Sequence, residues 1–125
     1  MVSLVGTWRL IDARAFADDG KELQPPLGLH PIGIITYEAR RMIVSVARMD
    51  DLAGPVPQIF SGYAGEYEFD GEMLTVKVVA ASSPEGVVDQ VRRIVFEGPD
   101  RYVATPMMRV LGYDGGLRLT WQRVA

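Results

Sequence analysis

The most regular feature of the chain is a series of short segments in which apolar and polar residues alternate. These segments are rich in Val, Ile, Tyr and Thr, and Gly, Asp or Pro separates them. Alternation with a period of two is typical of strands with one buried face, and no helical apolar repeat is sustained over ten residues. The pattern predicts an all-β protein with strands at Gly6–Ala17, Ile32–Glu38, Met42–Met49, Tyr63–Phe69, Met73–Ala80, Val88–Glu97, Tyr102–Thr105 and Leu117–Val124.

The connections between these segments carry turn-forming residues. Asp70-Gly71, between two alternating runs, is the clearest hairpin signal. Two connections are longer. The prolines of Leu23–Pro31 oppose regular strand pairing, and Asp50–Ser61 is expected to hold a single helical turn at its end.

Eight predicted strands in 125 residues, joined mainly by hairpins, suit one domain over residues 1–125. Closure into a barrel would remove the exposed strand edges that an open sheet must protect. We therefore expect a single antiparallel up-and-down β-barrel of about eight to ten strands, in which Leu23–Pro31 is the region that would add strands. An open two-sheet sandwich is the alternative.

Motifs in a fixed order along the chain carry a family resemblance. A Gly-x-Trp opens the first strand and an Arg follows a Trp near the end of the last, and the remaining matches lie between them. The matching positions are Leu4–Leu10, Pro26-Leu27-Gly28, Pro31, Gly33, Tyr37, Gly65, Tyr67-Glu68, Asp70-Gly71, Asp89–Arg93 and Leu119–Arg123. In these positions the chain resembles the bacterial and fungal lipocalin-like domain family of calycin-type barrels.

The resemblance implies a barrel with one closed end and a ligand cavity. Lipocalins plug the closed end with the Trp of the first motif and lay the Arg of the last strand across it. The resemblance therefore assigns a structural role to Gly6, Trp8, Trp121 and Arg123. The functional end would be the opposite mouth, near Tyr37, Arg92 and the Leu23–Pro31 loop.

Alternation also predicts which side chains face the interior. An inward Trp8 makes Leu10, Asp12, Arg14 and Phe16 inward as well, and the fifth strand would point Leu74, Val76, Val78 and Ala80 inward. Apolar side chains with a few polar groups among them are usual in small-molecule pockets. The predicted ligand-binding residues are Tyr37, Met42, Tyr67, Val76, Gln90 and Arg92.

Arg92 is the most informative of these residues. A buried guanidinium is costly unless an anion pairs with it. A carboxylate or enolate of a ligand would supply a bidentate partner. Asp12 or a glutamate of the protein is the alternative partner, and a position at the wet rim of the barrel is another.

Composition removes several classes of function. The chain has no Cys, one His (His30) and a net charge of −3, so thiol chemistry, a transition-metal site and a nucleic-acid surface all lack support. No phosphate-binding glycine loop precedes a helix, and we expect no cofactor. No apolar run approaches the roughly 20 residues of a membrane helix, and no signal peptide precedes Gly6. A cytoplasmic location is expected.

Three hypotheses of function follow. The first is a barrel that binds a small apolar or amphipathic molecule in its cavity. The Arg92 side chain would allow this molecule to be an anion. The second is an isomerase or cyclase in the same cavity, with Asp12 as the best inward carboxylate, or with His30 as a base at the mouth. The third is a structural barrel that forms a homodimer through outward apolar residues such as Ile11, Ile43 and Val103.

Overall fold

The fold is an eight-stranded antiparallel sheet closed on itself. The computed structural model describes residues 2–48 and 59–125. The strands are β1 (Gly6–Ala15), β2 (Ile32–Tyr37), β3 (Arg41–Arg48), β4 (Ile59–Phe69), β5 (Met73–Ala81), β6 (Gln90–Phe96), β7 (Arg101–Pro106) and β8 (Leu117–Arg123).

Each strand pairs with the next one in the sequence, and β8 pairs with β1 to complete the circle. This topology confirms the predicted all-β up-and-down barrel and excludes the open sandwich. In the part of the chain that the structure describes, the Leu23 region adds only one isolated bridge, between Phe16 and Glu22. The barrel therefore has eight strands.

Strand β4 begins earlier than the alternation predicts. It starts at Ile59, so residues 59–61 are strand where a loop ending in a helical turn was expected. That part of the prediction is wrong, and its remainder, residues 50–58, lies outside the described residues. The structure also contains a short 3-10 helix over Pro84–Gly86 that no sequence signal predicted.

A bulge changes the face on which the second half of β1 is buried. Leu10 pairs with Trp121 but Asp12 pairs with Thr120, so Ile11 is an extra residue in the ladder. Such an insertion shifts the following residues to the opposite faces of the sheet.

The predicted inward positions in this half of β1 are therefore wrong. The buried residues are Ala13 and Ala15. Asp12 instead accepts a hydrogen bond from the exposed Arg14 at 2.9 Å, and Phe16 lies under the Arg118 guanidinium at 4.6 Å.

A second irregularity lies between β4 and β5. Ala64 pairs with Ala80 and Gly65 with Val78, so Val79 is the extra residue here. Leu74 and Val76 are buried as the alternation predicts, but Ala80 is exposed, which corrects its predicted inward position. Strand β6 pairs with β5 only over Met73–Val76, so the outer half of β5 extends past its neighbour.

One end of the barrel is closed by Trp8. Its indole is fully buried, donates from Nε1 to the Leu4 carbonyl at 2.8 Å and packs edge-on against Tyr102. The Arg123 guanidinium lies 4.2 Å from the Trp8 ring centre and donates to the carbonyls of Ser3 and Val5. These contacts tie the last strand to the residues before the first.

Gly6 is required at this closed end for a geometric reason. Its φ of 132° lies in a region that other residues rarely adopt. A Cβ at this position would lie 2.5 Å from the Ala125 carbonyl oxygen and 2.8 Å from Nη1 of Arg123. Any side chain here would separate Arg123 from its carbonyl partners.

The opposite end carries the long connections. Residues 16–31, 82–89 and 107–116 all leave and re-enter the barrel there. The register places Tyr37 opposite Gly6, at the Trp8 end. The prediction that Tyr37 marks the open mouth is therefore wrong, because β2 runs antiparallel to β1 and brings its last residue beside the first residue of β1.

Candidate functional site

A cavity of about 60 Å³ lies inside the barrel. Its walls are mainly aliphatic and aromatic, and they come from seven of the eight strands together with the β7–β8 connection. The apolar wall includes Ile35, Val44, Val46, Leu74, Ile94, Leu119 and Trp121. The inward alternation of the strands produces this lining, since each strand presents every second side chain to the interior.

Three tyrosines place hydroxyl groups among these apolar side chains. Tyr37 and Tyr102 are buried, and their hydroxyl oxygens are 2.9 Å apart. Burial raises the pKa of all three phenols, those of Tyr37, Tyr63 and Tyr102, and the nearby Arg92 charge only partly offsets it. The phenols therefore stay neutral at neutral pH, and they offer hydroxyl groups rather than negative charge.

Arg92 supplies the positive charge of the cavity. Its side chain is 7% exposed and lines the cavity, with the guanidinium carbon 5.8 Å from the centre of the Tyr63 ring. Nη2 donates to the Gln90 side-chain oxygen at 2.9 Å and Nη1 donates to the Val91 carbonyl at 3.0 Å. Both acceptors are neutral groups.

No protein carboxylate neutralises this guanidinium within the described residues. The ion pairs found there join other cations, and none brings an Asp or Glu within 4.0 Å of Arg92. Asp12, the predicted protein partner, is on the outside of the barrel and pairs with Arg14. The pairing of Asp12 with Arg92 is therefore excluded.

The β7–β8 connection contributes to the cavity wall at the open end of the barrel. Val110 and Leu111 line the cavity from this segment, and Val110 and Tyr113 hydrogen-bond each other through their backbones. Leu111 has a φ of 52°, the left-handed region, and Gly112 follows at 85°. Only Leu111 among the described non-glycine residues adopts a positive φ, and this conformation costs energy that the packing of its half-buried side chain offsets.

The predicted ligand-binding residues separate into three groups. Tyr37 and Arg92 line the cavity, and Gln90 is buried behind Arg92 as its hydrogen-bond acceptor. Tyr67 packs against the Tyr37 ring and donates to the Glu38 carbonyl at 2.5 Å, outside the cavity. Val76 and Met42 are buried elsewhere in the core.

Several cavity residues were not singled out from the sequence as ligand-binding. Tyr102 and Tyr63 could have been found from the alternation of their strands, since both occupy inward positions. Val110 and Leu111 had no such signal, because they come from an irregular connection. The structure places Trp121 on the cavity wall, whereas the aromatic partner of Trp8 is Tyr102.

The described lining of the cavity contains no Asp, Glu or His. His30 is exposed on the loop before β2, away from the cavity lining. Residues 2–48 and 59–125 also contain no cluster of three His, Cys, Asp or Glu side chains that would hold a metal ion. The polar groups of this site are one cation and several hydroxyls.

The outer surface carries a separate apolar face. Ile43, Phe60 and Val79 are 59%, 72% and 76% exposed on β3, β4 and β5. Two open grooves, of about 490 and 380 Å³, run along this face. This exterior face is the second place where an apolar molecule would find contact.

Comparisons with known proteins agree with this geometry. The chain is a closed eight-stranded antiparallel barrel, consistent with a lipocalin-like domain of the calycin type. Residues 5–59 match the model of a family described as a lipocalin-like domain, and this match together with the closed barrel confirms the predicted resemblance.

A solved structure shares the fold at low sequence identity. It is a redesigned beta barrel that is 14% identical to this chain, with a TM-score of 0.50 over 98% of this chain and 92% of the other. No curated protein matches the sequence. In the described part of the chain, no helix has the length and apolar character needed to span a membrane.

Proposed function

We propose that this barrel binds a small apolar or amphipathic molecule in its central cavity. The observation that carries the proposal is the cavity lining: aliphatic and aromatic side chains surround a few polar groups, one of which is a buried arginine. Specific small-molecule sites commonly have this composition.

The lining favours binding over catalysis by an isomerase or cyclase. Moving a proton between carbon and oxygen needs a base within hydrogen-bond reach of the substrate. The described lining offers a guanidinium and neutral hydroxyls, and the inward carboxylate expected of Asp12 lies outside the barrel. A described lining without a carboxylate or an imidazole suits a ligand that is held unchanged.

The size of the cavity sets how a ligand enters. Pockets for drug-sized ligands measure roughly 300–1,000 Å³, whereas this cavity measures about 60 Å³. A larger ligand must therefore displace part of the wall. Leu111 is the residue to move, because it comes from a connection rather than a strand and holds a costly backbone conformation.

Displacement of a neutral apolar dye such as Nile red tests the proposal. Ala104 is buried, faces the cavity and lies between β6 and β8, so Ala104→Leu fills the space from a rigid strand. Phe60→Ser is the matched control on the outer apolar face. We expect Ala104→Leu to weaken dye binding at least tenfold and Phe60→Ser to leave it unchanged.

The opposite pattern would contradict the proposal. If Phe60→Ser abolishes dye binding and Ala104→Leu does not, the dye occupies the outer face and the cavity is only a packing defect. Thermal unfolding of each variant shows whether the barrel is intact, since overpacking typically costs about 1–3 kcal/mol.

A further inference from the structure

Within residues 2–48 and 59–125, no negative charge balances the positive charge inside the barrel. Arg92 is 7% exposed, its partners Gln90, Val91 and the Tyr63 hydroxyl are neutral, and within the described residues no carboxylate lies within 4.0 Å of it. Charges this deeply buried are almost always paired, because burial removes the water that stabilises them. The fold keeps a positive charge where an apolar residue of similar length would cost less.

We propose that this site takes ligands with one carboxylate, oriented with the carboxylate against Arg92 and the apolar tail toward Leu111. The inference rests on the proposed function, since it specifies the ligand of that same cavity. A guanidinium has five N–H donors in a planar fork that matches the two oxygens of a carboxylate. Nη1 and Nη2 of Arg92 each already donate one hydrogen bond to a neutral acceptor, and these two bonds fix the plane of the guanidinium.

Charge and size both favour a carboxylate over a larger anion. One guanidinium balances one negative charge, so a doubly charged phosphate would leave a charge unpaired among apolar side chains. The cavity volume of about 60 Å³ accommodates a compact planar head group but not a bulky one. The neutral hydroxyls of Tyr37, Tyr63 and Tyr102 add dipoles that can turn toward an anion.

The orientation follows from where the movable wall lies. Leu111 comes from the long β7–β8 connection, whereas the other end is sealed by Trp8 and Arg123. Among the described lining residues, only Val110 and Leu111 come from a connection rather than a strand, so an apolar chain that leaves past Leu111 disturbs no strand. The resulting ligand has a buried head group and a tail that replaces the Leu111 side chain.

The experiment compares octanoate with octan-1-ol, which has the same chain but no charge. Calorimetry measures both affinities for wild type, Arg92→Met and Arg93→Met. Arg93 is the adjacent residue, half-exposed on the outer face near Glu72, and it controls for loss of one positive charge. We expect wild type and Arg93→Met to prefer octanoate by about ten- to a hundredfold, the range for a hydrogen-bonded charge.

Arg92→Met should remove this preference while keeping the affinity for octan-1-ol. Without ligand, the melting temperature of Arg92→Met should be no lower than that of wild type, because methionine replaces the aliphatic part of the arginine side chain without burying a charge. Arg92→Lys, which retains a positive charge, is the second variant. It should keep a weaker preference for octanoate.

Each other outcome overturns the inference. Equal binding of octanoate and octan-1-ol by wild type leaves the proposed function standing but refutes the carboxylate site. A preference for octanoate that survives Arg92→Met places the anion elsewhere. If neither compound binds wild type, both the inference and the proposed function fail for this ligand size.

Discussion

Replacing Trp8 with alanine tests whether the closed end stabilises the barrel. The Trp8 side chain is fully buried, and removal of a buried aromatic side chain typically costs about 3–5 kcal/mol. The change also leaves the Leu4 carbonyl without its donor, in a residue that is 2% exposed, and takes the ring from under Arg123. We therefore expect a loss near the upper end, about 5 kcal/mol of unfolding free energy.

The assay is urea unfolding followed by far-UV circular dichroism, which reports the loss of the sheet. Trp8→Phe is the companion variant, because it keeps a six-membered aromatic ring and loses the Nε1 donor together with the five-membered ring. Its expected cost is about 1–3 kcal/mol, the usual penalty for an orphaned buried acceptor. A Trp8→Ala variant within about 1 kcal/mol of wild type would refute the role of Trp8 as the structural plug.

Three further predictions address the turn, the cavity cover and the outer face. Backbone hydrogen bonds from Met73 and Glu72 lower the pKa of Asp70 below its ordinary value of 3.8. The ionised Asp70 side chain therefore stabilises the folded state above pH 3.8, and this stabilisation is lost as the pH falls through the pKa of Asp70 in the folded protein. Asp70→Asn should therefore be less stable than wild type at pH 7 in thermal melts, and the difference should shrink as the pH is lowered below 3.8. A difference that stays constant with pH would contradict this. Leu111→Gly relieves the strain of the left-handed backbone and also removes an apolar contact, so the free energy of unfolding should change by less than about 1 kcal/mol. Dye association, measured by stopped flow, should become faster. An unchanged association rate would show that Leu111 does not limit entry of the dye. If a second copy of the chain covers the outer apolar face, wild type should sediment as a dimer and Phe60→Ser as a monomer, whereas a monomeric wild type would remove the homodimer prediction.

Much of the fold could be predicted from alternation because a barrel repeats one simple rule. Strands such as β8 bury Leu117, Leu119 and Trp121 in strict alternation, and turn residues mark where strands end. Prediction failed at Ile11 and Val79, where one extra residue reversed the faces that follow. A bulge depends on the pairing of two strands, and a single strand's pattern contains no sign of it.

The site was less predictable than the fold. Tyr37 and Arg92 could be assigned to the interior by alternation, and both line the cavity. The strand register decides at which end of the barrel Tyr37 lies, and the sequence alone did not provide that register. Leu111 reaches the cavity from an irregular connection, where no periodicity predicts which side chain points inward.

The central claim is that the cavity, and not the outer face, holds the ligand. The chain has two tryptophans, Trp121 on the cavity wall and Trp8 beneath it at the closed end. Two-dimensional ¹H–¹⁵N NMR during an octanoate titration resolves their indole N–H signals. We expect the Trp121 indole signal to shift in a saturable manner and the Trp8 signal to move little. Saturable shifts confined to Ile43, Phe60 and Val79, with Trp121 unchanged, would contradict the account.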